Sequence, residues 1–381
     1  MNILSMDLIE AIKAEDKHYS NLFNRLNVDV VRGQGCYLYD CFGEKYLDMY
    51  AGIAVCSVGH CHPHVTKAIC DQAQKLVHTS NWVYTEPQLR LAEKITSLSG
   101  LDKVFFTNSG TEAVEAAIKL VRAKKNGGKI VSCKKSFHGR TLGALSATWN
   151  PRYREPFEPL IPGFEFIDYG DLNALDEALT EESAAFIVEP ILGEAGVVLP
   201  PTDYLKEARE LTREKGVLLV LDEVQTGFGR TGEWFGFQHD KINPDIICTA
   251  KGLGGGFPVG ALITSGEVDF LPGQHGGTFG GNPLACATAE AVIEVIENQN
   301  LLDNAKKMGT LLREGLIQRG LNCRGLGLMT AFEAEGRQTV EKLLTQKILT
   351  INADKAVRLL PPLTLNQDQV EEFFTKLDKI T

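Results

Sequence analysis

No stretch of this 381-residue chain approaches the ~18 consecutive apolar residues of a membrane-crossing helix, so no spanning segment is expected. The opening MNILSMDLIEAIKAEDKHYS lacks both a long apolar core and a small-residue cleavage site. Its acidic residues also argue against an organelle transit peptide. The nine cysteines lie scattered without a tight framework and read as the reduced thiols of a cytoplasmic protein. Basic charge is in short supply: 39 Lys and Arg against 49 Asp and Glu leave a net −10. That balance disfavours nucleic acid as a partner but leaves room for a small anion held by a few buried arginines. Repeats and low-complexity segments are lacking. Two phosphate-loop signatures also fail. Gly252-Leu253-Gly254 would need a glycine at 257, where Phe257 stands. Gly127-Gly128-Lys129 is followed by Ile130 instead of Ser or Thr, with Ala123 at the first glycine position.

What is present is an ordinary globular composition, 44% hydrophobic and 23% charged. The length suits two or three domains, or one large α/β domain with a smaller companion. The first ~50 residues mix a short amphipathic helix with strand candidates such as GCYLYD and KYLDMY. Further on, short apolar runs (KVFFTNSG, KIVSCKK, AAFIVEP, GVLLVLDEV, DIICTAK, VGALITS) alternate with helical stretches such as TEAVEAAIKLVRAKKN and TDYLKEARELTREKG. Nearly continuous hydrophobicity in the runs predicts buried, mostly parallel strands joined by helices, an α/β architecture. From about residue 285 the pattern turns helical, then mixed. The division expected is residues 1–50 and 290–381 as a smaller α+β domain built from both termini, and 51–289 as the large domain.

Ligands of such sheets sit at the carboxyl ends of the strands, and four polar segments fall there. In FFTNSGTEAVEAAIKL, a strand runs through Asn108 into Ser109-Gly110-Thr111 and a helix begins. Free amides and hydroxyls there make an anion cradle, and equally a plain N-cap. In LLVLDEVQTGFGRTG, Asp222 ends a strongly apolar strand, where a carboxylate needs a cationic or donor partner. A protonated pyridine nitrogen is one such partner; a structural ion pair or a metal is another. In DIICTAKGLGGGFPVGA, Lys251 follows a strand. Confined in apolar surroundings, its amine turns nucleophilic toward an aldehyde; otherwise it is a solvated strand-end lysine. In HGGTFGGNPLACA, Thr278 offers a hydroxyl to an anion, or belongs to a flexible glycine loop. Together the four supply a phosphate cradle, a carboxylate for a ring nitrogen, an aldehyde-capturing amine and a further phosphate donor. Those are the parts that pyridoxal 5′-phosphate requires.

The segments AGIAV, GHCHP, HTSNWVYTEPQ, NSGTEA, SFHGRTLGALSAT, VEPILGEAGV, LDEVQTGFGRTG, AKGLGGGFPVGA, GGTFGGNPLACA and RLLPPLT, in that order, resemble the class III, fold-type I aminotransferases over nearly the whole length. The resemblance implies a large cofactor-binding domain with a helix-flanked, mostly parallel sheet. It implies Lys251 and Asp222 as catalytic residues, and Ser109, Gly110 and Thr111 around the phosphate. Phe137 and Val224 would take the two ring faces, and Gln225 the phenolic oxygen. Thr278 would reach the phosphate in a neighbouring subunit, so a homodimer is implied. Arg140 would grip the far carboxylate of the amino donor. Arg358 would bind the α-carboxylate of glutamate and pair with Glu194 otherwise, although without the resemblance both arginines read as surface ion pairs. Ile53, where a tyrosine is expected for free ornithine, suits an N-acylated donor. The expected reaction is ping-pong transamination between N²-acetylornithine and 2-oxoglutarate, a step of arginine biosynthesis. Cys56 stands where the loop AGIAVN has asparagine, which bears on acyl-group preference.

Other readings stay open. Succinylornithine, succinyl-diaminopimelate, ornithine and 4-aminobutyrate are alternative donors. An aminomutase, decarboxylase or racemase would use the same cofactor without a keto-acid acceptor. A non-catalytic regulator would need an appended basic domain that is missing. His60, Cys61, His62 and His64 in GHCHPH are metal-ligand types, but their spacing is poor and no second Cys/His pair accompanies them, so no metal is expected.

Overall fold

Seven strands form the central sheet: β1 (Lys103–Thr107), β2 (Lys129–Cys133), β3 (Phe164–Ile167), β4 (Ser183–Val188), β5 (Leu218–Asp222), β6 (Ile246–Thr249) and β7 (Gly260–Thr264). Six of them are the apolar runs of the sequence. β3, carried by FEFI behind a Pro- and Gly-containing segment, is an additional edge strand too short and too alternating to stand out. The computed structural model describes residues 7–353 and 355–380, so the start of the N-terminal segment read for targeting lies outside the described residues.

The strands lie in the order β1-β7-β6-β5-β4-β2-β3. β7 is antiparallel to β1 and β6, and every other pairing is parallel. The carboxyl ends of β1, β2, β4, β5 and β6 therefore open on one edge, where Gly260 at the start of β7 pairs with Thr107. All residues of β4, β6 and β7 are buried, each Val, Leu or Ile contributing about 1.5–3 kcal/mol by leaving water. Helix α1 (Gly110–Lys124) packs on β6 and β7 through Ala113, Val114, Ala116 and Ala117, whose small side chains admit a close approach to the sheet. Helix α2 (Tyr204–Glu214) covers β5.

Strands from both ends of the chain pair with each other. Arg32–Gln34, Tyr37–Tyr39 and Lys45–Asp48 form an antiparallel set, and Ile348–Leu349 joins it parallel to Lys45–Asp48. A second antiparallel sheet holds Cys323–Leu326, Met329–Glu333, Ala356–Leu359 and Ile351–Ala353. The boundary expected between 289 and 290 lies within helix α3 (Pro283–Asn298), one continuous element packed on the helices Pro63–Ala73 and Glu86–Ser99. We propose the division at the turn of Gln299 and Asn300, where Asn300 takes a left-handed conformation with φ 50°.

All nine cysteines are unpaired. Among the described residues, no helix is long and apolar enough to cross a membrane.

Candidate active site

At the carboxyl edge of the sheet lies a cavity of about 400 Å³. Ser109, Gly110, Thr111, Phe137, Arg140, Glu194, Asp222, Val224, Gln225 and Lys251 all line it. Positions spread over more than 140 residues of sequence meet there because each follows a strand end or lies on the loop beyond one.

The N-cap and cradle readings of Ser109 turn out to be compatible. Its hydroxyl accepts from the Glu112 amide at 3.3 Å, and the Glu112 carboxylate turns back onto the Asn108 backbone and side-chain amides. The first amides of a helix have no partner within it, and Gly110 and Thr111, which carry two of them, border the cavity. Gly110 is required on steric grounds: a Cβ there would lie 2.7 Å from both γ carbons of Val224.

Asp222 is buried at the end of β5. Its Oδ2 lies 2.7 Å from His138 Nδ1, and its Oδ1 accepts from the Val224 amide at 3.1 Å. The carboxylate thus has a partner besides any ring nitrogen. The next residue, Glu223, has a different task. It is fully buried and accepts from the Gly236 and Phe237 amides, each at 2.8 Å, and from the Thr226 hydroxyl, which fixes the loop after β5. Burial pushes its carboxyl up to about 7, against those hydrogen bonds.

Lys251, two residues past β6, sits at a left-handed φ of 38°. Burial lowers its ammonium pKa, opposed by the nearby carboxylates Glu194 and Asp222. Its side chain lines the cavity, and the shift favours the free amine.

Arg358 lies outside the cavity lining, but its side chain is only 1% exposed and reaches Glu194, which lines it. Nη1 and Nη2 lie 2.7 and 3.3 Å from Oε1 and Oε2, and Nη1 also donates to the Gly193 carbonyl at 3.2 Å. The surface ion-pair reading of Arg358 is thereby overturned. Burial would raise the Glu194 carboxyl, but Arg358 overrides it and the net shift is downward. Arg140 is exposed. Its guanidinium is held over the Tyr153 ring at 3.5 Å and stands 5.7 Å from the Phe137 ring.

Two expected positions fall elsewhere. Thr278 is exposed on a loop beside Ser80, Asn81 and Gln88, in a separate depression of about 860 Å³. In its own chain it cannot serve the cavity. Ile53 is not a lining residue. Residues 51–54 run through φ values of 49°, 62°, 68° and 62°, a left-handed turn anchored by Asp48 Oδ1 on the Ala51 amide at 2.8 Å. The turn directs Ile53 onto the apolar cluster of Ile191, Val197 and Met329, and Val55 borders the cavity instead. The GHCHPH histidines separate as well. His60 pairs with buried Asp48 at 2.6 Å, His62 with Gln299 at 3.0 Å and His64 with Glu294 at 2.5 Å. Among the described residues no group of three or more His, Cys, Asp or Glu could hold a metal.

Sequence reasoning assigned no role to His138 and Glu189. Glu189 borders the cavity just past β4, and burial pushes its carboxyl up to about 7, with His138 lowering and Asp222 raising it. Its signal, a carboxylate ending an apolar strand in AAFIVEP, was the same as that of Asp222. His138 shows no such signal, because its partner is 84 residues away.

Comparison with known proteins gives the family. Residues 19–381 match the aminotransferase class-III family. The acetylornithine aminotransferase of Methanopyrus kandleri is 45% identical over 98% of both chains. That of Archaeoglobus fulgidus is 44% identical over 95% of this chain and 97% of its own. Among solved structures, the acetylornithine aminotransferase of Elizabethkingia anophelis superposes with a TM-score of 0.87 at 34% identity, over 98% of each chain. The ornithine aminotransferase of Toxoplasma gondii ME49 gives 0.94 at 35%, over 98% of this chain and 94% of its own.

Proposed function

The chain belongs to the class-III aminotransferases, and on that premise we propose that it transfers the amino group of N²-acetylornithine to 2-oxoglutarate, giving N-acetylglutamate 5-semialdehyde and glutamate in arginine biosynthesis. Relatives named for acetylornithine over nearly their full length support this donor. The observation that carries the reading is the buried Arg358–Glu194 pair at the cavity wall.

Class-III aminotransferases depend on pyridoxal 5′-phosphate, and the residues here fit that group. A side chain at 110 would fill the cradle, a buried carboxylate stands at the end of β5, and the buried Gln225 Oε1 has no hydrogen-bond partner among the described residues. When bound, the cofactor supplies an aldehyde that exchanges amines and a ring that draws electrons from the amine-bearing carbon.

Ser109, Gly110 and Thr111 would hold its phosphate at the start of α1. Phe137 and Val224 would bracket the ring, and Gln225 would meet the phenolic oxygen. Asp222, steadied by His138, would keep a proton on the ring nitrogen. Lys251 would bind the aldehyde at rest. Once displaced by substrate, its amine would carry the proton away from the substrate carbon and return it on the neighbouring position.

Arg140 would take the far carboxylate of the donor. Arg358 would be covered by Glu194 while the neutral reacting end of N²-acetylornithine occupies the site, and released for the α-carboxylate of glutamate. Ile53 would back the loop that carries Glu194. A homodimer would bring each Thr278 to the phosphate held by the other subunit, which accounts for its place outside the cavity. The nine unpaired thiols favour a reducing cytoplasm.

The test is spectral. N²-acetylornithine, ornithine, 4-aminobutyrate and succinyl-diaminopimelate are added separately to the holoenzyme, and 2-oxoglutarate is then added. N²-acetylornithine is expected to bleach the visible cofactor band fastest and 2-oxoglutarate to restore it. Faster bleaching by ornithine or 4-aminobutyrate would reject the assigned donor.

A further inference from the structure

Glu194 sits on a short loop whose arms are tied together. Leu192 and Val198 exchange both backbone hydrogen bonds at 3.0 Å. The Gly193 carbonyl accepts from the Gly196 and Val197 amides at 3.2 and 3.4 Å, and Arg324 Nε donates to the Gly196 carbonyl at 2.8 Å. Gly193 lies close against Gln225, since a Cβ there would lie 2.4 Å from Gln225 Oε1.

The foot of this loop ends on one buried carboxylate. Glu189 Oε2 accepts from the Gly193 amide at 3.0 Å, and its Oε1 accepts from the Phe137 amide at 2.9 Å. A single side chain at the end of β4 therefore clamps two backbones that do not otherwise share a strand: the one beneath the ring-stacking Phe137 and the one beneath Glu194. Only a carboxylate of this length serves both donors. Glutamine has one acceptor and would turn its NH₂ toward the other amide, while aspartate is one methylene too short to span them. Next to this fixed backbone, the Glu194 side chain is 33% exposed and is held by side-chain contacts, chiefly to Arg358.

We propose that Glu189 is a positioning residue that fixes the loop foot to the Phe137 platform, so that Glu194 releases Arg358 by side-chain rotation over a stationary backbone. The inference rests on the gate reading of Glu194 and Arg358 and deepens it. A loop that swings as a unit would have to break the Gly193–Glu189 and Arg324–Gly196 hydrogen bonds together.

Hydrogen exchange on the holoenzyme tests this without any substitution. The Gly193 amide is expected to exchange slowly both in resting enzyme and with saturating glutamate. In Glu189→Gln, the Gly193 or Phe137 amide should exchange about tenfold faster. The same variant should narrow the preference between glutamate and the neutral-ended donor by about tenfold, while borohydride still fixes the cofactor to Lys251. Rapid Gly193 exchange in the wild type, or its deprotection when glutamate binds, overturns the proposal. So does wild-type exchange at both amides in Glu189→Gln. A Glu194→Gln control keeps the two readings apart. An unchanged substrate preference there removes the gate, whereas exchange at the Gly193 and Phe137 amides decides the clamp.

Discussion

Replacing Glu194 with glutamine keeps the shape of the gate and removes its charge. Two contacts hold the present pair, at 2.7 and 3.3 Å. Breaking a buried ion pair by removing one partner costs about 3–5 kcal/mol. Here Arg358 is 1% exposed but the Glu194 side chain is 33% exposed, so water already screens part of the attraction, and about 2 kcal/mol is a reasonable share. On the proposed gate, glutamate in the wild type must displace this carboxylate before its own α-carboxylate reaches Arg358. The variant removes that competition. Its ratio of kcat/KM for glutamate over N²-acetylornithine should therefore rise about 30-fold, measured as separate half-reactions in stopped flow. The pH dependence of stability has a definite sign. Glu194 is held below its ordinary 4.5, so the pair stabilises the fold above that value and is lost as pH falls through the lower, folded one. The difference in urea midpoint between wild type and variant should be constant from about pH 6 to 8 and narrow only as pH falls below 4.5. A ratio within about twofold of wild type, in a variant that folds and binds cofactor, would refute the gate.

Three further outcomes follow from the cavity. Lys251→Ala should yield no covalent cofactor after borohydride reduction, and labelling at another lysine would reassign the amine. Asp222→Asn should retain cofactor but transaminate at least about a hundredfold more slowly, and near-normal turnover in a steady-state assay would remove its role at the ring nitrogen. Gly110→Ala places a methyl 2.7 Å from the Val224 γ carbons. Overpacking of that kind costs about 1–3 kcal/mol, so cofactor affinity should fall at least about tenfold, and an unchanged fluorescence titration of the apoenzyme would show that Val224 yields freely.

The parts of the site visible in sequence are those in which one segment states its own physical problem. Asp222 is conspicuous because four apolar residues of a buried strand end in a charge. Ser109, Gly110 and Thr111 stand out because a strand turns into a helix there. Lys251 is legible only in part: the strand before it is apolar, but the burial that lowers its ammonium pKa comes from distant elements. Segment reading has no access to partners. His138 supplies Asp222 with a hydrogen bond from another strand connection. Tyr153 supports Arg140 through a ring face rather than a charge. For Ile53 the side-chain type was informative but its direction was not, because a run of left-handed residues reverses the ordinary geometry of the turn.

Glu189 and Glu223 show why residue type at a strand end does not by itself assign a role. Both are carboxylates just past buried strands, both are pushed up to about 7 by burial, and both accept backbone amides. The difference lies in what those amides carry. The donors to Glu223 belong to adjacent residues, Gly236 and Phe237, so its loss loosens one loop. The donors to Glu189 belong to Phe137 and Gly193, on two loops that border the cavity from different strands. A carboxylate that satisfies two amides of one loop is a local fastening. One that divides its oxygens between two loops transmits the position of each to the other, which is why the loss of Glu189, unlike that of Glu223, is expected to alter substrate preference as well as stability.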